Sequence, residues 1–418
     1  MTIPYSIVTI DTTISSVYHS IMEVKKTYRL KLYPRKYQEE KLRKTFGACR
    51  FVWNYFLNER KTAYLERGEK MYYHETAMAL TKLKQQDEYK WIGEAQTHPL
   101  QQSLRDLDAA YKNFFEKRAN YPKFKSKYNP NQSFRKPDRW RINGKKLHIE
   151  RGLSIYFKGN PPPKDNKNYS VTIKVDACGD WWATIVSEEE MKEPRGKKKD
   201  PIGLDLGLTH LAITSDGKKY ENIHPKKSLK KEMKKIQQGL SRKQKGSKSR
   251  TVAKLKVARL HKKIKNTRSN HLHHISKKLA NKNHVVIVCE DLAVSNMMKN
   301  HCLAESIGDA SWSEFIRQLE YKQKWRGNSV EKVGRFFPSS KTCSQCNFVC
   351  QSLPLSIRQW ECPKCSTKHD RDINAAKMVL KHWLGANQDA EGGDGSTALR
   401  DCVRVTRPVK RRVPQTIC

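Results

Sequence analysis

The spacing of apolar residues changes twice in the first half of the chain. Residues 22–34 alternate apolar and polar side chains, which predicts a strand. Residues 35–118 instead show helical spacing, with Gly68 as a helix stop. The clearest helix follows Pro99, where five side chains form one apolar stripe: Leu100, Leu104, Leu107, Tyr111 and Phe114. We therefore expect a strand followed by a small helical domain over 35–119.

Between Pro122 and Glu190 the apolar period returns to two. Leu153, Ile155 and Phe157 alternate with polar residues, and turn signals such as Gly159-Asn160 interrupt the stretch. Several short strands separated by turns are typical of an antiparallel sheet. The sequence predicts a small β-barrel in this region.

The second half of the chain alternates strands and helices. Its predicted elements are a short strand over Pro201–Asp205, a hairpin turning at Ser215-Asp216-Gly217, a basic helical hairpin over 226–282, an apolar strand from His284 to Cys289, a helix over Trp312–Trp325, a strand over Val330–Phe336, and a last helix from Asp372 to Leu384 that stops at Gly385. This order matches an RNase H-like mixed sheet. With 418 residues, we expect an α+β protein of several domains.

The charge of the chain points to a polyanionic partner. Lys and Arg total 83 against 42 Asp and Glu, which gives a net charge of +41. The excess is concentrated in residues 117–151, with twelve basic residues against two acids, and in residues 226–282, with 21 against one. Both stretches are predicted to contact a nucleic-acid backbone.

Aromatic side chains are interspersed through the first basic stretch: Tyr121, Phe124, Tyr128, Phe134 and Trp140. Cations can bind phosphates while neighbouring rings stack on bases. The alternative is a solvated loop whose rings pack against the core. The sequence leaves both interpretations open.

The sequence predicts neither a membrane span nor a secretory signal. The sequence has no apolar run of the roughly 20 residues needed to span a bilayer. Residues 1–21 lack Lys and Arg and are interpreted as an unstructured leader rather than a secretory signal. Residues 386–418 are predicted to form a disordered tail. We expect a cytoplasmic protein without a membrane partner.

Four cysteines show the spacing of a zinc ribbon. Cys343, Cys346, Cys362 and Cys365 form C-x2-C-x15-C-x2-C, and four thiolates at this spacing complete a closed tetrahedral site. Such a site is structural, because a catalytic zinc keeps one position open for water. Cys350 lies inside the loop and is not expected to be a ligand. The remaining cysteines are scattered singly, which argues against a disulfide framework.

Three acidic residues occupy positions where an open sheet exposes its functional edge. Asp205 lies in Gly203-Leu204-Asp205-Leu206-Gly207, Glu290 ends an apolar strand, and Asp372 begins the last helix. Hard carboxylate oxygens suit Mg²⁺ or Mn²⁺, and two such ions support phosphodiester hydrolysis. The predicted chemistry is metal-dependent cleavage of nucleic acid.

Each carboxylate also has a simpler explanation. An Asp between glycines occurs in turns and in phosphate-binding ATPases, and Glu290 or Asp372 could cap a helix. Asp291 and Asp370 lie close to these positions, so either could be the ligand instead of its neighbour. The order of the three acids on a strongly basic chain favours the nuclease interpretation.

Seven ordered blocks resemble the TnpB-like proteins of bacterial insertion sequences, which are RNA-guided DNA endonucleases similar to type V CRISPR effectors. The resemblance covers about Val24 to Leu384. The blocks are Tyr28 to Pro34, Phe51 to Asn54, Pro122 to Lys127 with Gln132 to Arg135, Gly203 to Gly207, Glu290 to Leu292, Phe337 to Cys343, and Asp370 to Ala376. Two departures stand out: Asn347 replaces the usual Gly after the first cysteine pair, and Met378 follows Ala375-Ala376-Lys377.

The resemblance implies a domain layout. A wedge-like barrel (22–34 and 120–195) is split around a helical recognition domain (35–119). A RuvC nuclease domain (196–340 and 368–385), which includes the basic hairpin, is interrupted by the zinc ribbon (341–367). It also implies that Asp205, Glu290 and Asp372 are the RuvC acids and that the four cysteines bind one structural Zn²⁺.

The same resemblance implies the partners. They are a guide RNA transcribed from the element's end and target double-stranded DNA carrying a short flanking motif, with no small-molecule substrate. We expect a monomer with RNA, associated with the bacterial nucleoid. Two alternatives remain at this point: a catalytically silent RNA-guided DNA-binding protein, and a transposase that performs strand transfer itself.

Overall fold

The computed structural model describes residues 21–150, 152–192, 197–335, 337–354 and 356–391. The described residues form two compact units, one within 21–192 and 233–262 and the other within 197–232 and 263–391. Residues 1–20 of the predicted leader and residues 392–418 of the predicted tail (386–418) lie outside the described residues. The prediction of a disordered tail is wrong for residues 386–391, which belong to the last helix.

The first unit contains a seven-stranded antiparallel sheet. Its strands are β1 (Ile21–Tyr33), β2 (Gln132–Lys136), β3 (Arg141–Asn143), β4 (Lys146–Glu150), β5 (Leu153–Lys158), β6 (Asn168–Val175) and β7 (Trp181–Lys192). They lie in the order β2-β6-β7-β1-β5-β4-β3. The strand predicted over 22–34 is therefore central to the sheet formed by the region after Pro122. Closure of this sheet into a barrel stays a prediction.

Helices fill the segment between β1 and β2. They are α1 (Lys36–Arg67), α2 (Tyr73–Leu83), a 3-10 helix (Asp87–Glu94) and α3 (Thr97–Phe115). Gly68 ends α1 with a left-handed φ of 64°, as its position predicted. Leu100, Leu104 and Leu107 of the predicted stripe are fully buried, and the core they belong to includes side chains of the sheet.

The second unit contains a mixed five-stranded sheet. Its strands are β8 (Ile202–Asp205), β9 (His210–Thr214), β10 (Lys219–Glu221), β11 (Val286–Glu290) and β12 (Ser329–Val333), in the order β10-β9-β8-β11-β12. Strands β8, β11 and β12 are parallel, whereas β9 and β10 form an antiparallel hairpin beside β8. This is the mixed sheet that the sequence predicted.

The other elements after β10 are mostly helical. They are α4 (Pro225–Ser228), α5 (Lys230–Ser241), α6 (Lys248–Ala280), α7 (Val294–Met297), α8 (Ala304–Ala310), α9 (Trp312–Lys324), the short hairpin β13 (Gln359–Glu361) and β14 (Lys368–Asp370), and α10 (Arg371–Glu391). The predicted basic hairpin corresponds to α5 and α6. The predicted stop at Gly385 is wrong, because α10 continues to Glu391; one glycine costs a helix only about 1 kcal/mol.

None of the helices in the described part of the chain is both long enough and apolar enough to cross a membrane.

Candidate nuclease and zinc sites

Asp205 and Glu290 end two neighbouring parallel strands. Asp205 is the last residue of β8 and Glu290 the last of β11, and the ladder pairs Leu204 with Cys289 one residue earlier. The carboxyl ends of parallel strands meet at one edge of the sheet. The two acids therefore lie side by side at that edge, as the sequence predicted.

Helix α10 brings Asp372 to the same edge. A Cβ atom on Gly203 would overlap the carbonyl oxygen of Ala376 and lie 3.0 Å from the Cβ of Leu380, so only glycine allows the helix to lie this close to β8. Asp372 is one turn before Ala376 on the same helix face, and Asp205 is two residues after Gly203 on the same strand face. One close contact thus positions both carboxylates.

Asp205 has the electrostatics of a crowded acidic site. Burial raises its pKa to about 7, and the nearby carboxylates of Glu290 and Asp372 add to the rise. Arg358 and a hydrogen bond from the backbone of Leu206 oppose it only in part. A carboxyl group with such a raised pKa beside two other acids is typical of a functional site rather than of a turn.

The other two carboxylates have partners of their own. The Ser339 hydroxyl donates a hydrogen bond to Oε1 of Glu290. Nη1 of Arg358 lies 3.2 Å from Oδ1 of Asp372, and this arginine comes from the segment between the two cysteine pairs. Sequence reasoning did not single out Ser339 or Arg358, although Ser339 lies in the Phe337 to Cys343 block.

The neighbouring acids have structural roles. Asp291 forms an ion pair with Arg335, with Oδ2 lying 2.5 Å from Nε. Asp370 forms an ion pair with Lys219 at 2.6 Å, and its Oδ1 accepts hydrogen bonds from the backbone N–H groups of Asp372 and Ile373. Asp370 therefore caps α10. The sequence left Asp291 as an alternative to Glu290 and Asp370 as an alternative to Asp372. In the structure it is Glu290 and Asp372 whose charges act on Asp205 and raise its pKa.

The four predicted zinc ligands converge. Their sulfur atoms all lie within 4.8 Å of one another, which makes them the one group of three or more potential ligands this close among the described residues. Sγ of Cys343 lies 3.7 Å from Sγ of Cys365, and Sγ of Cys346 lies 3.6 Å from Sγ of Cys362. Zinc–sulfur bonds of about 2.3 Å in a tetrahedron require sulfurs about 3.8 Å apart, so the cluster fits a structural zinc.

The surroundings of this cluster complete its geometry. Nε2 of His369 lies 3.1 Å from Sγ of Cys343 and can donate a hydrogen bond to a thiolate there. Asn347 has a left-handed φ of 61°, which explains how Asn replaces the Gly expected after the first cysteine pair. Cys350 packs against the cluster without belonging to the four-sulfur group.

The aromatic residues of the 117–151 stretch divide into two sets. Phe134 is buried in the core and is therefore not available to stack on a base, whereas Trp140 is partly buried and packs against that core. Tyr121, Phe124 and Tyr128 are 41, 60 and 82% exposed. Phe134 thus belongs to strand β2 rather than to a solvated loop, and the rings of the second set are accessible to a ligand.

The fold has a counterpart among solved structures. One such structure is "Cryo-EM structure of the Cas12f1-sgRNA-target DNA complex", whose matching protein is 12% identical to this chain. The superposition has a TM-score of 0.53 and covers 86% of this chain and 98% of that protein. This similarity defines the chain as one with a Cas12f-like fold.

Sequence comparisons then identify the family. Residues 184–301 match the OrfB family of IS605 elements, described as "Probable transposase", residues 312–379 match "Cas12f1-like, TNB domain", and residues 22–69 match "Helix-turn-helix domain". A "Putative RNA-guided DNA endonuclease" of Streptomyces pristinaespiralis is 35% identical over 94% of this chain and 98% of its own. "Putative RNA-guided DNA endonuclease InsQ" of Escherichia coli is 32% identical over 93% of this chain and 98% of its own length. The chain belongs to this TnpB-like family.

Proposed function

We propose that the protein is an RNA-guided DNA endonuclease of an insertion sequence, which cuts DNA beside a short flanking motif through a RuvC-type site. The observation that carries the proposal is the position of Asp205 and Glu290 at the ends of neighbouring parallel strands, with Asp372 on the helix that packs against Gly203. The names of the relatives support the same activity.

The three carboxylates are suited to hold cations. Mutual repulsion and burial disfavour the ionised form of Asp205, and a bound cation relieves both effects. When bound, two Mg²⁺ or Mn²⁺ ions supply an activated water and neutralise charge on the phosphodiester. Glu290 is oriented by Ser339, and the Arg358 guanidinium compensates the charge of Asp372. In this role Asp205, Glu290 and Asp372 are the catalytic residues.

The domain layout belongs to the same proposal. Residues 22–34 and 120–195 would form the wedge, 35–119 the recognition domain, and 196–340 with 368–385 the nuclease domain. The ribbon over 341–367 would be held by one zinc ion. The four-thiolate geometry supports the last assignment, and the shared β1-to-β7 sheet supports the first.

The charge distribution supports the partners. Exposed lysines and arginines of α5 and α6 and of the 117–151 stretch would contact the backbones of a guide RNA and a target DNA, while base pairing with the guide selects the sequence. We place the protein in the bacterial cytoplasm, where both partners occur, and expect one chain to bind one RNA.

The decisive experiment purifies the protein from cells that carry its native locus. The copurified RNA is sequenced, and the complex is incubated with a plasmid library that matches the guide, with Mg²⁺ present. We expect cleavage that requires both the guide match and a fixed flanking motif. RNA-dependent binding without cleavage would indicate a silent binding protein, and joining of DNA ends without RNA would indicate a transposase.

A matched pair of variants tests the site assignment. Glu290→Gln keeps the size of the side chain but removes its charge, and we expect cleavage to fall to background while guide-dependent binding persists. Asp291→Asn alters the adjacent acid, whose partner is Arg335, and should leave cleavage near the wild-type rate. Cleavage by Glu290→Gln or Asp205→Asn would contradict the assignment.

A further inference from the structure

An aromatic cleft lies at the C-terminal ends of α1 and α3. It has a volume of about 830 Å³, within the range of about 300–1,000 Å³ found for ligand sites. Its rings come from four segments: Tyr64 of α1, Tyr72 of the following loop, Tyr111, Phe114 and Phe115 of α3, and Tyr121 beyond α3. Tyr64, Tyr72 and Phe115 are 60, 59 and 74% exposed, a degree of exposure that marks binding surfaces when apolar side chains cluster.

Contacts between rings hold the floor of this cleft in place. Tyr121 packs edge-on against Tyr111 and Phe114, with ring centroids 5.6 and 5.3 Å apart. The hydroxyls of Tyr111 and Tyr121 lie 3.0 Å apart in a hydrogen bond. The ring of Phe115 is nearly parallel to that of Tyr111, at 22°, and is largely exposed to solvent. The cleft therefore presents a rigid aromatic surface.

The charged residues of the cleft leave a net positive rim. Each of its three acids has an arginine partner: Asp108 with Arg60, Glu69 with Arg67, and Glu116 with Arg118. Its three lysines form no ion pair with any described residue: Lys61, Lys70 and Lys112. Flexible cations around exposed rings favour an anionic ligand that has a flat apolar part.

We propose that this cleft binds an unpaired nucleotide, with its base stacked on Phe115, Tyr64 or Tyr72 and its phosphates near the lysines. The proposal rests on the function proposed above, since it specifies where a guided nuclease would hold a single-stranded segment. A base within a duplex hides its faces, so the ligand is a nucleotide outside paired regions. Unpaired RNA and unpaired DNA both present an exposed base face and a phosphate, so either could be the source of this nucleotide.

Photocrosslinking of the full-length protein tests the proposal and distinguishes the two sources. One arm uses an unstructured RNA of about 12 nucleotides that contains 4-thiouridine, and the other uses the DNA of the same length with 4-thiothymidine. Cross-linked peptides are identified by mass spectrometry. We expect adducts in the peptides that contain Tyr64, Tyr72 or Phe115. Adducts in the RNA arm alone assign the site to RNA, and those in the DNA arm alone assign it to DNA.

Two substitutions at one position separate stacking from apolar contact. Phe115→Leu removes the ring and should lower the adduct yield at this cleft about tenfold, whereas Phe115→Trp should retain it. Because Phe115 is exposed, both variants should keep the wild-type unfolding temperature. Tyr37→Ala removes a ring that is 49% exposed outside the cleft and should leave the yield unchanged.

The proposal is overturned if neither oligonucleotide gives adducts in the cleft, or if Phe115→Leu cross-links as well as the wild type. Adducts confined to α5, α6 or residues 123–151, which lie outside the cleft, would contradict nucleotide binding in the cleft while leaving the nuclease proposal intact. Conversely, if the protein forms adducts in the cleft but never cleaves DNA, nucleotide binding in the cleft is supported and the proposed nuclease activity is contradicted.

Discussion

The side chain of Asn374 joins helix α10 to the first cysteine pair through Ser344. The backbone N–H of Ser344 donates to Oδ1 of Asn374 at 2.9 Å, and Nδ2 of Asn374 donates to the carbonyl oxygen of Thr342 at 2.7 Å. Asn374 is 1% exposed, so these bonds form away from water. The helix that begins near Asp372 is thereby fixed to the segment that carries Cys343.

Asn374→Ala should therefore loosen the zinc site. The substitution removes the hydrogen-bond partner of the partly buried Ser344 N–H and of the buried Thr342 carbonyl, and we expect zinc to be lost to a colorimetric chelator about 10–100 times faster. Asn387→Ala is the control, because Asn387 is an exposed residue of the same helix. Equal release rates for the two variants would show that Asn374 does not support the site.

Gly203→Ala should displace α10 from the mixed sheet. The added methyl group would overlap the carbonyl oxygen of Ala376, and we expect a loss of at least about 1–3 kcal/mol in the free energy of unfolding, together with loss of cleavage. Gly385→Ala, in α10 itself, meets no atom within 4 Å and should stabilise the helix by about 0.5–1 kcal/mol. Urea unfolding of the two variants checks the contrast; a neutral Gly203→Ala would refute the close contact.

Asp205 should make stability depend on pH when no Mg²⁺ is added. Its pKa is about 7 in the folded protein and about 3.9 in the unfolded chain, so the folded state holds an extra proton between these values. The stability that protonated Asp205 contributes to the folded state is fully present below about pH 4 and is lost as the pH rises through about 7.

The matched test is Asp205→Asn, which cannot ionise. We expect this variant to exceed the wild type by about 2–4 kcal/mol in the free energy of unfolding at pH 8 but to differ little at pH 4.5. Urea unfolding at both pH values measures the difference. Asp165→Asn, at an exposed acid, controls for the lost charge. A difference that is the same at both pH values would contradict the raised pKa.

Zinc content should follow the four cysteines and no others. We expect one zinc per chain in the wild type, loss of zinc with a lower unfolding temperature in Cys362→Ser, and retention of zinc in Cys350→Ser. Inductively coupled plasma mass spectrometry gives the metal content and thermal unfolding gives the stability. Zinc loss in Cys350→Ser would show that the ligand set is wrong.

Local features of this protein follow directly from its sequence. The β1 strand, the end of α1 at Gly68, the stripe of α3 and the C-x2-C spacing were predictable, because each depends on residues a few positions apart. The stop at Gly385 was not, because packing outweighs the small helix penalty of one glycine. The sequence also left open whether Phe134 stacks on a base, and only the structure places its side chain in the core.

The sequence by itself determined the main strands and helices, the net charge and the identities of the candidate acids and thiols. Only the tertiary structure decided which acids are electrostatically coupled, that Arg358 and Ser339 accompany them, and that rings from α1, its loop and α3 line one cleft. These relationships join residues far apart in the chain. Hydrophobic periodicity describes how each segment faces the core, and the close packing between segments, such as Gly203 against Ala376, fixes which side chains meet.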